Sequence, residues 1–76
     1  MKLKLYAKLH DIFGKNEIIL DMNFKNVGEL KKFLKIYYKD IYDNLAFVVC
    51  NGKYLDDENS IQDCDEILLF PSFSGG

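Results

Sequence analysis

Residues 2–9, Lys2-Leu3-Lys4-Leu5-Tyr6-Ala7-Lys8-Leu9, alternate polar and apolar side chains almost without a break. Successive side chains of a strand point to opposite faces, so a period of two predicts a strand with one buried face. Leu3, Leu5, Ala7 and Leu9 take the inner side; Lys2, Lys4, Tyr6 and Lys8 take the outer. Such a strand cannot stand alone. It needs neighbours to hydrogen-bond with and a second layer to cover its apolar face.

The rest of the chain supplies both. Residues 10–16 read as a connection with Gly14 as its turn residue, and residues 17–22 (Glu-Ile-Ile-Leu-Asp-Met) as a second β-rich run, so the first two strands form a hairpin. At Asn26 the period changes. Asn26 is a helix N-cap, Glu29 completes a capping box, and Val27, Leu30, Phe33, Leu34 and Tyr37 share one helical face. Lys31, Lys32, Lys35 and Lys39 occupy the opposite, solvated face, and Gly28 weakens the first turn. A loop over residues 40–44 leads to a buried strand at 46–50, and Asn51-Gly52 is a strong hairpin-turn signal. The last strand, residues 66–70, stops at Pro71, which has no N–H to continue a ladder.

The order β-β-α-β-(short β)-β predicts an α+β fold: a mixed sheet with one main helix on one face, the layout of the ubiquitin-like β-grasp. Residues 1–70 form that single domain and 71–76 a flexible C-terminal tail. In that fold the first and last strands run side by side in parallel. With 49% hydrophobic and 29% charged residues the 76-residue chain is globular, not disordered. No apolar run approaches the roughly 18 residues that span a bilayer, and no signal peptide is evident. A cytoplasmic location is therefore expected. The net charge of −2 and the lack of any arginine argue against nucleic-acid binding. Cys50 and Cys64, with His10 as the one histidine, match no zinc-site spacing, and a reducing cytoplasm disfavours a disulfide, so both are expected as free thiols.

Side-chain catalysis has little to work with: there is no Gly-rich phosphate loop, and a single histidine builds no nucleophilic triad. Attention passes to Phe70-Pro71-Ser72-Phe73-Ser74-Gly75-Gly76. Six residues beyond Phe70 reach about 20 Å when extended, and two residues without Cβ can thread a narrow tunnel. If the first and last strands are neighbours, Tyr6, Leu68 and Phe70 form an exposed apolar patch at the root of this arm, with Phe73 farther out.

The segments Leu3-Lys4-Leu5-Tyr6-Ala7, Ile12-Phe13-Gly14, Asn26-Val27-Gly28-Glu29-Leu30, Asp63-Cys64-Asp65-Glu66-Ile67 and Phe70-Pro71-x-x-x-Gly75-Gly76 together resemble the small-subunit family of molybdopterin synthase. The resemblance runs over essentially the whole chain, and its C-terminal part is the specific piece. It implies that the Gly76 carboxylate is adenylated, with ATP, by an activating enzyme related to ubiquitin activators. A sulfur-delivering protein then converts it to a thiocarboxylate. The arm carries that sulfur into the synthase large subunit to build the dithiolene of molybdopterin, a step of molybdenum cofactor biosynthesis. Gly75 and Gly76 are the reactive end; Tyr6, Tyr54 and Phe70 are the hydrophobic contact with the large subunit. No cofactor or metal is bound, and no membrane partner is implied.

The chain departs from the family pattern at His10, Cys64 and Ser72, where relatives often carry Arg, Gly and Pro. Resemblance to the thiamine-pathway sulfur carrier is weaker: it shares the Asp-x-Asp, Ile-Leu-Leu-Phe and Gly-Gly elements but lacks the Phe-Pro step. Three alternatives stand beside the leading reading. They are a carrier for thiamine or another pathway, a ubiquitin-like protein modifier, and an interaction module whose C-terminus is never activated.

Overall fold

A computed structural model describes residues 1–72. Its elements are β1 (Lys2–Leu5), α1 (Lys8–Phe13), β2 (Glu17–Ile19), α2 (Val27–Tyr37), α3 (Lys39–Asn44), β3 (Leu45–Cys50), β4 (Lys53–Tyr54) and β5 (Glu66–Pro71). The five strands form one sheet in the order β2-β1-β5-β3-β4. β1 and β5 pair in parallel, Leu3 opposite Ile67 and Leu5 opposite Leu69, while the other pairings are antiparallel. Parallel neighbours need a crossover, and α2 lies on it, covering one face of the sheet. This is the ubiquitin-like β-grasp, an α+β fold.

The core follows from the strand alternation. Leu3, Leu5, Ile18, Val48, Ile67 and Leu69 face inward and meet Val27, Leu30 and Leu34 of α2. Six of these nine have no exposed surface at all. Each fully buried leucine or isoleucine contributes roughly 1.5–3 kcal/mol over its exposed state.

Strand β1 is shorter than its sequence pattern. Ala7 has φ 51 and ψ −126, and the Leu9 N–H donates to the Tyr6 carbonyl at 3.1 Å. That is a type II′ turn with Ala7 at the position that glycine prefers. The chain turns into α1 where a connection was expected, and Ala7 is exposed instead of lying on the inner face. Leu9 keeps its place in the core, reaching it from the helix. Six residues are too few for a helical period to show in sequence, and the II′ turn carries no glycine to announce it. Gly14, with φ 83, caps α1 by donating to the His10 carbonyl at 2.7 Å.

The expected capping of α2 is present. Asn26 Oδ1 accepts from the Glu29 N–H at 2.9 Å, and Glu29 Oε1 accepts from the Lys25 N–H at 2.7 Å. Gly28 is explained by packing: its N–H donates to the Asp57 carbonyl at 2.8 Å, and a Cβ there would sit 3.3 Å from the same oxygen. Tyr37, expected on the buried face, is 68% exposed: it is the last residue of α2, and its ring lies against Phe33 at 4.8 Å. Residues 40–44, expected as a loop, belong to α3. Ile41 there enters the core, Lys39 pairs with Asp43 at 3.2 Å, and the Asn44 side-chain amide donates to the Asp40 carbonyl at 2.8 Å. β2 stops at Ile19, three residues before the expected end, although Leu20 still buries its side chain.

Asn51 (φ 53) and Gly52 (φ 78) form the two-residue turn joining β3 to β4, both left-handed as a type I′ turn requires. β5 includes Pro71, opposite Leu45 and beside a bulge at Leu45/Phe47, a place in a ladder where proline is tolerated. The cysteines are not free: Cys50 and Cys64 form a disulfide with their Cα atoms 6.2 Å apart. β3 and β5 are hydrogen-bonded neighbours. Their pairing brings the end of one strand beside the turn that feeds the other, although 14 residues separate the cysteines in sequence. Cys64 itself has an ordinary negative φ and donates its N–H to the Ile61 carbonyl at 3.2 Å.

Candidate partner-docking face

The face of the sheet turned away from α2 is where the expected contact residues gather. On β5, Ile67 and Leu69 point into the core, so Leu68 and Phe70 point out, each half-buried. Phe70 lies opposite Phe47 of β3, and Leu68 lies opposite Val49. Val49 in turn faces Tyr54 of β4. Tyr6 follows β1 directly, and its N–H donates to the Leu69 carbonyl at 3.2 Å, holding it beside β5.

The rings form two pairs, brought side by side in a ribbon across the sheet by the Phe47–Phe70 register. Tyr6 stacks on Phe70 with centroids 4.7 Å apart and planes within 7°. Phe47 meets Tyr54 edge-on at 5.5 Å. Tyr54 is 76% exposed, Phe47 42% and Tyr6 39%. Adjacent aromatics this open to water, on the side of the sheet that no helix covers, make a surface suited to a protein partner.

Of the residues expected at the site, Tyr6, Tyr54, Leu68 and Phe70 come together on this one face. Phe73, Gly75 and Gly76 lie outside the described residues. Phe47 and Val49 complete the ribbon and were not singled out from sequence. The signal was there: in Ala46-Phe47-Val48-Val49-Cys50 a strand with Val48 and Cys50 inward must turn Phe47 and Val49 outward. An apolar run that lacks alternation hides which face is which.

Charge frames the ribbon unevenly. Near β1, Lys2 and Lys4 approach the single carboxylate of Glu17 at 3.9 and 3.4 Å. At the opposite edge the loop after β4 carries Asp56, Asp57 and Glu58, of which Asp57 is bound by Lys31 at 2.6 Å. Among the described residues no cluster of histidine, cysteine and carboxylate side chains could hold a metal ion. The lone histidine, His10, sits on α1 with its Nδ1 3.4 Å from Asp11.

Comparison with known proteins agrees with this fold. The ThiS family model matches residues 3–76. The chain belongs to the ThiS family. A curated relative from Dictyostelium discoideum, named molybdopterin synthase sulfur carrier subunit, is 31% identical over 81 residues, covering 99% of this chain and 94% of that protein. Among solved structures, SAMP1 from Haloferax volcanii superposes with a TM-score of 0.73 at 26% identity, covering 100% of this chain and 98% of the other. The likeness in fold to SAMP1 therefore runs along the length of both chains. Among the described residues no helix is long and apolar enough to cross a membrane.

Proposed function

We propose that this ThiS-family protein is the sulfur-carrier subunit of a molybdopterin synthase. The observation that carries the reading is the Tyr6–Phe70 stack on the uncovered sheet face. An exposed apolar surface on the strand from which Phe73-Ser74-Gly75-Gly76 follows in sequence supports a docking role for this face. The named Dictyostelium relative, similar along 99% of this chain, supports the choice of pathway.

In this reading the activating enzyme joins the Gly76 carboxylate to AMP from ATP, releasing pyrophosphate. A carboxylate is a poor electrophile until such an anhydride supplies a leaving group. Sulfide-level sulfur from a delivering protein then attacks that carbonyl, AMP departs as the C–O bond to it breaks, and the new C–S bond leaves a thiocarboxylate, a softer and better nucleophile than the group it replaced. The large subunit holds the pterin precursor and supplies acid, base and substrate contacts, while this chain supplies the sulfur atom and a docking face. Gly75 leaves the approach to the reacting carbonyl unobstructed.

Affinity capture of the tagged full chain from its native cells tests the pathway. Recovery of a pterin-synthase large subunit is the expected result. Recovery of a thiazole synthase, or of covalent conjugates to lysines of other proteins, would reassign the carrier.

A further inference from the structure

Beside the aromatic ribbon, on the β4 side, lies an open cleft of about 750 Å³ lined by Phe47, Tyr54, Leu55, Asp56, Glu58 and Lys31 among others. Its lining combines aromatic side chains with an acidic stretch, residues 56–58. The acidic stretch is held in place: the Leu55 N–H donates to the Val48 carbonyl at 2.8 Å, and the Gly28 N–H to the Asp57 carbonyl at 2.8 Å. Asp56 and Asn59 close the loop on themselves, the Asp56 N–H reaching Asn59 Oδ1 at 2.7 Å and the Asn59 N–H reaching the Asp56 carbonyl at 3.0 Å. Lys31 is the cation in the cleft, and it is engaged by Asp57. Asp56 and Glu58 make no ion pair among the described residues.

The cleft thus offers two uncompensated carboxylates and the face of Tyr54, the most exposed large apolar side chain among the described residues. A guanidinium satisfies both demands. It is planar, stacks on an aromatic ring and donates in a fork to carboxylates, whereas an ammonium offers only a point charge. We infer that this cleft seats an arginine side chain of the protein that docks on the Tyr6–Phe70 ribbon, with Tyr54 as its platform and Asp56 and Glu58 as its counter-charges. The inference rests on the reading that this sheet face docks the synthase large subunit. Continuity supports it: Phe47 and Tyr54 belong both to the ribbon and to the cleft, so one partner covers the two together.

Two measurements test it. In the first, the full chain is titrated with Nα-acetyl-arginine amide at low salt and followed by amide NMR. The expected result is a saturable shift confined to Tyr54 through Glu58, absent with the citrulline amide, weaker with the lysine amide, and lost in the Asp56→Asn/Glu58→Gln variant. Equal responses at Asp11, Asp40 and Asp65, or an equal response to lysine, would overturn it. In the second, the same variant is bound to the large subunit. The expected loss is roughly 3–10-fold in affinity with a shallower salt dependence, the scale of rim charges. Unchanged affinity and salt dependence, with Phe70→Asp still weakening binding, would overturn this inference and leave the docking reading intact. No binding of the unaltered chain to the large subunit would overturn the docking reading instead, while the arginine titration still decides whether the cleft is built as described.

Discussion

Breaking the Cys50–Cys64 bond is expected to cost this domain more than any surface change. The bond closes a loop of 14 residues between the end of β3 and the turn before β5. Chain-entropy arguments for a loop of about this size give roughly 3 kcal/mol. A domain of 60–100 residues loses roughly 4–8 °C in Tm per kcal/mol, so the expected fall is roughly 12–24 °C. Cys64→Ser is the cleaner substitution, because Cys64 is half-buried, whereas Cys50 is only 4% exposed and a serine there would add an unsatisfied hydroxyl costing about 1–3 kcal/mol. Thermal unfolding followed by circular dichroism, with and without a thiol reductant, supplies the assay. The unaltered protein should drop to the Tm of Cys64→Ser when reduced, and Cys64→Ser should not respond to reductant. Both thiols alkylating in non-reduced, unfolded protein, or a fall of under ~1 kcal/mol on reduction, would refute the reasoning.

Three other expectations follow from particular contacts. Phe70→Asp should leave the far-ultraviolet spectrum unchanged, since the ring faces away from the core, yet weaken large-subunit binding by roughly 30-fold or more, as removal of a central aromatic anchor does; isothermal titration checks this. Ala7→Gly should stabilise the domain by up to about 1 kcal/mol in urea unfolding, because φ 51 is glycine territory and the strain there exceeds the added chain entropy; a loss of stability would contradict the II′ turn. Asn26→Ala should cost about 1 kcal/mol in the same assay by removing the acceptor for the Glu29 N–H, and Asn26→Asp should retain most of it.

Legibility in the sequence tracked how many residues each signal spans. The alternation at Leu3, Leu5, Ile67 and Leu69 and the helical face of Val27, Leu30 and Leu34 are long enough to read; with the parallel pairing of first and last strands that the β-grasp layout implies, they put Tyr6, Leu68 and Phe70 on one outer face. What stayed hidden was short or tertiary. α1 and α3 have six residues each, less than two turns, so neither shows a period. Ala7 takes a backbone conformation that its side chain gives no hint of. Phe47 and Val49 were obscured by an uninterrupted apolar run, which fixes burial on average but not which side chains face out. The disulfide depends on strand pairing, which the spacing of two cysteines does not reveal. Two strands that pair directly can bring cysteines 14 residues apart to bonding distance whatever the surroundings. Gly28 looked like a weak point in α2 and is instead where the loop at Asp57 packs against the helix.

The central claim is that Gly76 carries sulfur, and mass spectrometry of the intact protein from its native cells tests it most directly. The account predicts a fraction of molecules heavier by the exchange of one oxygen for sulfur, with the change confined to the C-terminal peptide and lost on alkaline hydrolysis. Molecules that keep an unaltered carboxylate at Gly76 under conditions of active cofactor synthesis, with the activating enzyme present, would contradict it.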